Sequence, residues 1–167
     1  EGMSIGDSLL DYFSEVEIKN FMNYDDLPSN MRFRISEFYS KEDMKMDLYE
    51  GMQIYYKPED KKFILHGLNG FFFCSNKTEC KKIYKNIVND VSRDFENLKG
   101  KETTFKHRDD KSGKSIVTLH LFEVDKGVVS IGYTNWSDEV KFSDNVDVEA
   151  ITTDVKNWIN SAYGINE

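Results

Sequence analysis

The chain predicts an α+β fold with an antiparallel sheet, and three observations say so. Strand-like segments come in consecutive runs, not singly between helices. The stretch Thr78–Lys99 carries an unbroken helical stripe. Hydrophobic residues are 39% of the 167, aromatics are 14% and Pro numbers only 2, so a substantial core can form. The predicted order is α(α)-βββ-α-βββ-α, with one long central helix and short terminal helices, in a single domain over 1–167. Disorder, collagen-like repeats and a disulfide-dense miniprotein do not fit this composition.

Two short helices open the chain. Ser4 with Asp7, and Ser14 with Glu17, have capping-box spacing. Leu9, Leu10, Phe13, Val16 and Phe21 would supply their buried stripe. The loop NYDDLPSN, with Pro28, ends this region. MRFRISEFY then alternates Met31, Phe33 and Ile35 with polar residues, and MKMDL alternates Met44, Met46 and Leu48. MQIYYK follows. FILHGLNGFFFC is apolar on both faces and belongs centrally in a sheet, with Gly67 and Gly70 marking a bulge or close packing against a helix.

The long helix places Cys80, Ile83, Tyr84, Ile87, Val88, Val91, Phe95 and Leu98 on one face, with Gly100 as its C′ residue. Such a stripe is a core face rather than a cofactor box. A polar connection over 101–114 holds a short strand near Thr103–His107. SIVTLHLFEV and VVSIGYTNW flank Asp125-Lys126-Gly127, a hairpin with Gly127 in the left-handed position. NVDVEAI is a last strand. TTDVKNWINSAYG is a helix capped by Thr152 or Thr153, with Val155, Trp158, Ile159 and Ala162 inward and Gly164 at its end. The halves 1–76 and 77–167 have the outline of a degenerate α-βββ duplication, although their residues do not align.

The formal charge is −8, from 22 Lys and Arg against 30 Asp and Glu. That balance repels nucleic acid and anionic lipid. The middle third is basic, with Lys57, Lys61, Lys62, Lys77, Lys81, Lys82 and Lys85, and reads as a solvated helix face and turn. No stretch approaches the ~18 apolar residues of a membrane span.

Cys74 and Cys80 enclose five residues at a strand-to-helix junction. They either form a disulfide, which points to an oxidising compartment, or pack as two buried thiols. No signal peptide is visible from Glu1 onward, and a periplasmic or extracellular location presumes one already removed. The sequons Asn76-Lys77-Thr78 and Asn135-Trp136-Ser137 matter only in a eukaryotic secretory protein.

The catalytic motifs fail on context. Gly2-Met3-Ser4-Ile5-Gly6 matches G-x-S-x-G, but no strand enters the turn, and Ser4 reads better as a helix cap. Ser112-Gly113-Lys114-Ser115 resembles the end of a Walker A loop but lacks the first glycine and leads into a strand, so it reads as a β-turn. With Lys106, His107, Arg108 and Lys111 it makes a cationic loop that Asp109 and Asp110 partly neutralise. His66 and His120 sit inside apolar strands, and no metal-binding spacing joins them to Cys74 or Cys80. The acid pairs Asp25-Asp26, Glu42-Asp43, Asp109-Asp110 and Asp138-Glu139 read as solvated turns.

The opening GMSIGDSLLDYFSEVEIK resembles that of a family of uncharacterised small marine-bacterial proteins with the pattern G-x-S-x-G-D-S-L-L-D-Y-F. FILHGLNGFFF, the long helix that starts near Cys80 and runs over Lys81–Leu98, and VDVEAITTDVKNWIN are similar to that family's middle and closing segments. The resemblance spans most of the chain and implies no activity. The Gly2-Met3-Ser4 start is also similar to BamE-like and β-lactamase-inhibitor-like proteins, over the opening residues only. That similarity implies a secreted or envelope α+β module that binds proteins.

These readings lead to an exported binding or interaction module without catalysis or cofactor, whose partner is a protein or a small ligand. Tyr55, Tyr56, Tyr133, Trp136, His66 and His120 are its candidate surface. One alternative is a small hydrolase using His66 or His120 with nearby acids or Cys74. Another is a small-ligand carrier with an aromatic-lined sheet cavity.

Overall fold

The computed structural model describes residues 2–20, 22–23, 32–40, 46–95 and 98–163. Among these, a 3-10 turn (Leu9–Asp11), α1 (Glu15–Asn20), β1 (Met22–Asn23), β2 (Arg34–Tyr39), β3 (Gly51–Tyr56) and β4 (Leu65–Phe73) precede the longest helix, α2 (Lys77–Asp94). After it come β5 (Lys101–Lys106), β6 (Ile116–Val124), β7 (Gly127–Asn135), β8 (Asn145–Thr152) and α3 (Thr153–Tyr163). The fold is α+β with antiparallel pairing, as the runs of alternating residues predict. The chain forms two compact units, each from discontinuous stretches: Glu1–Gly70 with Lys126–Val128 and Ala150–Glu167, and Phe71–Asp125 with Val129–Glu149.

In the first unit, the N-terminal caps follow the sequence signals with one change. Ser14 and Glu17 form a reciprocal capping box: Glu17 Oε2 accepts from the Ser14 amide, and Ser14 Oγ accepts from the Glu17 amide. Ser4 does not cap a helix. Its amide donates to Asp7 Oδ2, and Ser8 caps the 3-10 turn instead by accepting from the Leu10 amide. Of the expected stripe, Leu9 is buried and Phe13 packs on the core, whereas Leu10 and Val16 are exposed; Ile18 takes the inner place. Phe21 lies outside the described residues.

These elements cover Phe38, Met52, Ile54, Tyr56 and Leu65. The register pairs Phe38 with Met52 and Ser36 with Ile54, which puts all four on one sheet face. The expected strand at MKMDL does not appear over Met46–Leu48, where Asp47 and Leu48 form bends; Met44 and Lys45 lie outside the described residues. Gly67 and Gly70 serve close packing against side chains and not against a helix. A Cβ at Gly67 would press on Tyr55 and Ile151, and one at Gly70 on the Tyr49 ring. Near α3, Thr152 Oγ1 accepts from the Val155 amide, Val155 is buried, and Trp158 packs on Phe33. Gly164 lies outside the described residues.

In the second unit the strand order is β8-β7-β6-β5. The α2 stripe does what its spacing predicts. Cys80 and Tyr84 are buried with Phe122, Ile131, Tyr133 and Val146, and Ile83, Ile87, Val88 and Val91 pack beside them. Asn76 caps the helix by accepting from the Thr78 and Glu79 amides. The helix stops at Asp94 with Phe95 as C-cap, short of Gly100. Gly100 instead makes room for the His120 ring, which a Cβ there would strike. Gly127 is likewise not left-handed; it is among none of the positive-φ residues. Its missing side chain, in the first unit, admits the backbone oxygen of Ile151.

Candidate functional site

The most structured surface feature lies in the second unit, in two connections: 107–115 between β5 and β6, and 136–144 between β7 and β8. The first is organised by Asp110, a buried carboxylate. It accepts from the Ser112 amide (2.8 Å), the Ser115 amide (2.8 Å) and Ser115 Oγ (2.7 Å). These bonds hold its pKa well below the usual carboxylate range. Ser112–Ser115 is therefore a turn wound around a fixed anion, with Gly113 at φ 69, and no phosphate cradle. Ser115 Oγ in turn accepts from the Ser137 amide at 2.9 Å, which ties the second connection to the first.

Three rings rest on this support. His107 lies 4.2 Å from Trp136, centroid to centroid, and Trp136 lies 4.6 Å from Phe142. Trp136 is fixed by its amide donating to Asp144 Oδ1 (2.8 Å) and its indole Nε1 donating to Asn145 Oδ1 (3.2 Å). His107 Nδ1 accepts from the Asp109 amide, so a neutral ring carries its proton on Nε2. Burial lowers the His107 pKa, against the opposing pull of the Asp109 and Asp110 carboxylates. Phe142 ends the row and is 61% exposed. A Lys114–Glu139 ion pair stands on the same two connections.

A second cluster lies in the first unit. Phe33, fully buried, meets His66 edge-on at 5.2 Å and Trp158 at 5.6 Å. Lys57 and Arg32 lie over its ring, and both pair with Asp154. Burial lowers the His66 pKa, and Lys57 adds to the effect. Two cations sharing one carboxylate make a satisfied surface network.

Of the remaining predicted residues, the three tyrosines are interior, and His120 and Cys74 are half-buried. Tyr55, Tyr56 and Tyr133 are buried, at 5%, 1% and 5% exposure, and so do not form an outer surface. His120 stacks on Phe122 at 4.8 Å, and its Nδ1 is buried without a hydrogen-bond partner among the described residues. Tyr133 Oη and Asn135 Oδ1 share that condition. Cys74 is bonded to Cys80, with Cα atoms 5.5 Å apart, and has no thiol to act as a nucleophile or a metal ligand. Neither His66 nor His120 hydrogen-bonds a hydroxyl group among the described residues. No group of three or more metal-binding side chains converges there either. No described helix is long and apolar enough to cross a membrane.

Trp136, His66 and His120 are thus the members of the predicted surface that keep partial access to solvent. Phe142 was missing from it. The signal was available: NWSDEVKFSDN is a polar, turn-rich segment whose only large apolar side chains besides Val140 are Trp136 and Phe142. An aromatic in such a loop has no strand or helix face to retire into.

No protein-family model matches the chain, and no curated protein or solved structure proves significantly similar to it.

Proposed function

We propose that this is an exported, non-catalytic binding module whose contact surface is centred on Trp136 and Phe142. The observation that carries the reading is a three-ring row that ends in a largely exposed phenylalanine and rests on a buried, fully hydrogen-bonded support. Exposed aromatics on rigid supports bind with little loss of conformational freedom. The ring row suits a partner that offers a flat apolar face, such as a sugar ring or an aromatic side chain. The Lys114–Glu139 pair supplies a charged rim. The Cys74–Cys80 disulfide supports a periplasmic or extracellular setting.

The test is a titration of Trp fluorescence in a Trp158→Phe background, which leaves Trp136 as the reporter. Oligosaccharides and aromatic-rich peptides are the probes. A saturable change with one class, weakened about tenfold or more by Phe142→Ala, is the expected result. Binding that is indifferent to Phe142→Ala would move the contact surface elsewhere.

A further inference from the structure

β5 stands at the end of the strand order, and no described strand lies beyond it. All six of its residues are exposed, Phe105 at 48%. Long exposed edges are templates for pairing, and proteins usually guard them with charge. This one carries Lys101, Glu102 and Lys106. Whether those charges repel or attract depends on what arrives.

The backbone says which groups face outward. β5 pairs with β6 so that Lys106 opposes Ile116 and Thr104 opposes Thr118. One residue further, the His107 amide donates to the Ser115 carbonyl at 2.9 Å. Hydrogen-bonded pairs alternate along an antiparallel ladder. Thr103 and Phe105 therefore bond to β6, whereas the N–H and C=O groups of Glu102, Thr104 and Lys106 point away from it. The same three side chains share a face with α2, because Tyr84 Oη donates to Glu102 Oε2 at 2.9 Å.

We propose that this edge pairs with β5 of a second copy of the chain, antiparallel, about a twofold axis at Thr104. In that register Thr104 opposes Thr104 of the second copy, and Glu102 opposes Lys106 in both directions. All three outward residues are then hydrogen-bonded pairs, about six bonds in all. Both carboxylates face ammonium groups, and Thr103 meets Phe105 across the non-hydrogen-bonded positions, a favourable aromatic and β-branched pair. Moving the twofold to Thr103 or Phe105 puts Glu102 opposite Thr104, or Thr104 opposite Lys106, and the Glu102–Lys106 pairs are lost; Arg108, which would fall opposite Glu102 in the second case, lies beyond the strand in a turn. The edge is thus self-complementary in charge at one register, the requirement for an isologous contact. This contact is separate from the Trp136–Phe142 surface and stands whether or not that surface binds.

Analytical ultracentrifugation from about 10 µM to about 1 mM, the range suited to a small interface, measures the contact. A concentration-dependent dimer is expected. Lys106→Glu sets Glu against Glu, and Glu102→Lys sets Lys against Lys. Each should weaken the dimer by about tenfold or more, and an equimolar mixture of the two variants should restore it as a heterodimer. Amide exchange on the unmodified protein gives a second readout. The amides of Glu102, Thr104 and Lys106 should become protected as concentration rises, while those of Thr103 and Phe105 stay protected throughout. A protein that is monomeric at about 1 mM with unchanged exchange overturns the proposal. So does a dimer that survives each single variant, or a mixture that dimerises no better than either variant alone.

Discussion

Tyr133 occupies a position that costs the protein stability. Its ring packs against Tyr84 at 6.3 Å, within the core under α2, while its hydroxyl is buried with no partner among the described residues. Burial and the Asp144 carboxylate both raise its pKa. A buried hydroxyl without a hydrogen bond costs on the order of 1–3 kcal/mol. Tyr133→Phe keeps the ring and removes the hydroxyl, so it should leave stability unchanged or raise it by about 1 kcal/mol in urea unfolding. A loss of about 1 kcal/mol or more would show that the hydroxyl is held by a bound water or small molecule, the situation a ligand carrier requires. The sequence placed Tyr133 on a strand and offered it as part of a contact surface, which its burial overturns. Alternation assigns a residue to a face, but which face is covered depends on where the following helix lies. Tyr55 and Tyr56 show the limit more sharply, since adjacent residues on opposite faces are both buried. Trp136 differs because the strand has ended at Asn135.

At the level of elements, legibility followed the source of the signal. α2 was readable from its periodicity alone; its cap, Asn76 accepting from the Thr78 and Glu79 amides, was not read. Its C-terminal end was not. Gly100 looked like a helix stop, but the need for space beside His120 is a tertiary requirement that no local pattern carries. Met46–Leu48 carry the end of an alternating run without becoming a strand, because alternation is necessary for a half-buried strand and not sufficient. The junction of β4 and α2 was readable in both composition and chemistry. The short loop between Cys74 and Cys80 is closed by the disulfide, and Cys80 is buried in the first turns of α2. A loop this short contributes about 2 kcal/mol by restricting the unfolded chain. Reduction should therefore lower the urea midpoint by an equivalent amount and speed amide exchange in the first turn of α2 before its centre. Equal midpoints for the oxidised and reduced protein would mean that burial of Cys80 alone holds the junction.

For the whole molecule, three groups spread over both units make stability depend on pH in opposite directions. Burial lowers the pKa of His66 in the first unit and of His107 in the second. As pH falls through the ordinary histidine range, the unfolded chain takes up protons before the folded one, so these two groups remove stability on the acid side. Asp147, in the second unit, does the reverse. Its carboxyl sits where Gly132 leaves room, since a Cβ there would strike it, and burial together with the Glu149 charge pushes its pKa up to about 7. The folded chain then holds a proton that the unfolded chain has released. The stability this gives is complete below about pH 4, the ordinary aspartate range, and is lost as pH rises toward 7. Asp147→Asn imitates the protonated side chain at every pH. The variant should match the natural protein near pH 4 and exceed it at pH 8 by an amount on the order of 1–3 kcal/mol in urea unfolding. Between those limits its stability should rise steadily with pH, because the histidines and the carboxylates held low, Asp110 and Glu17 among them, all act in that direction. An Asn variant that is less stable at both ends would mean that the Asp147 carboxylate is ionised and paired in the folded protein. The carboxylate on Gly132 would then be a polar anchor of the sheet, not a proton store.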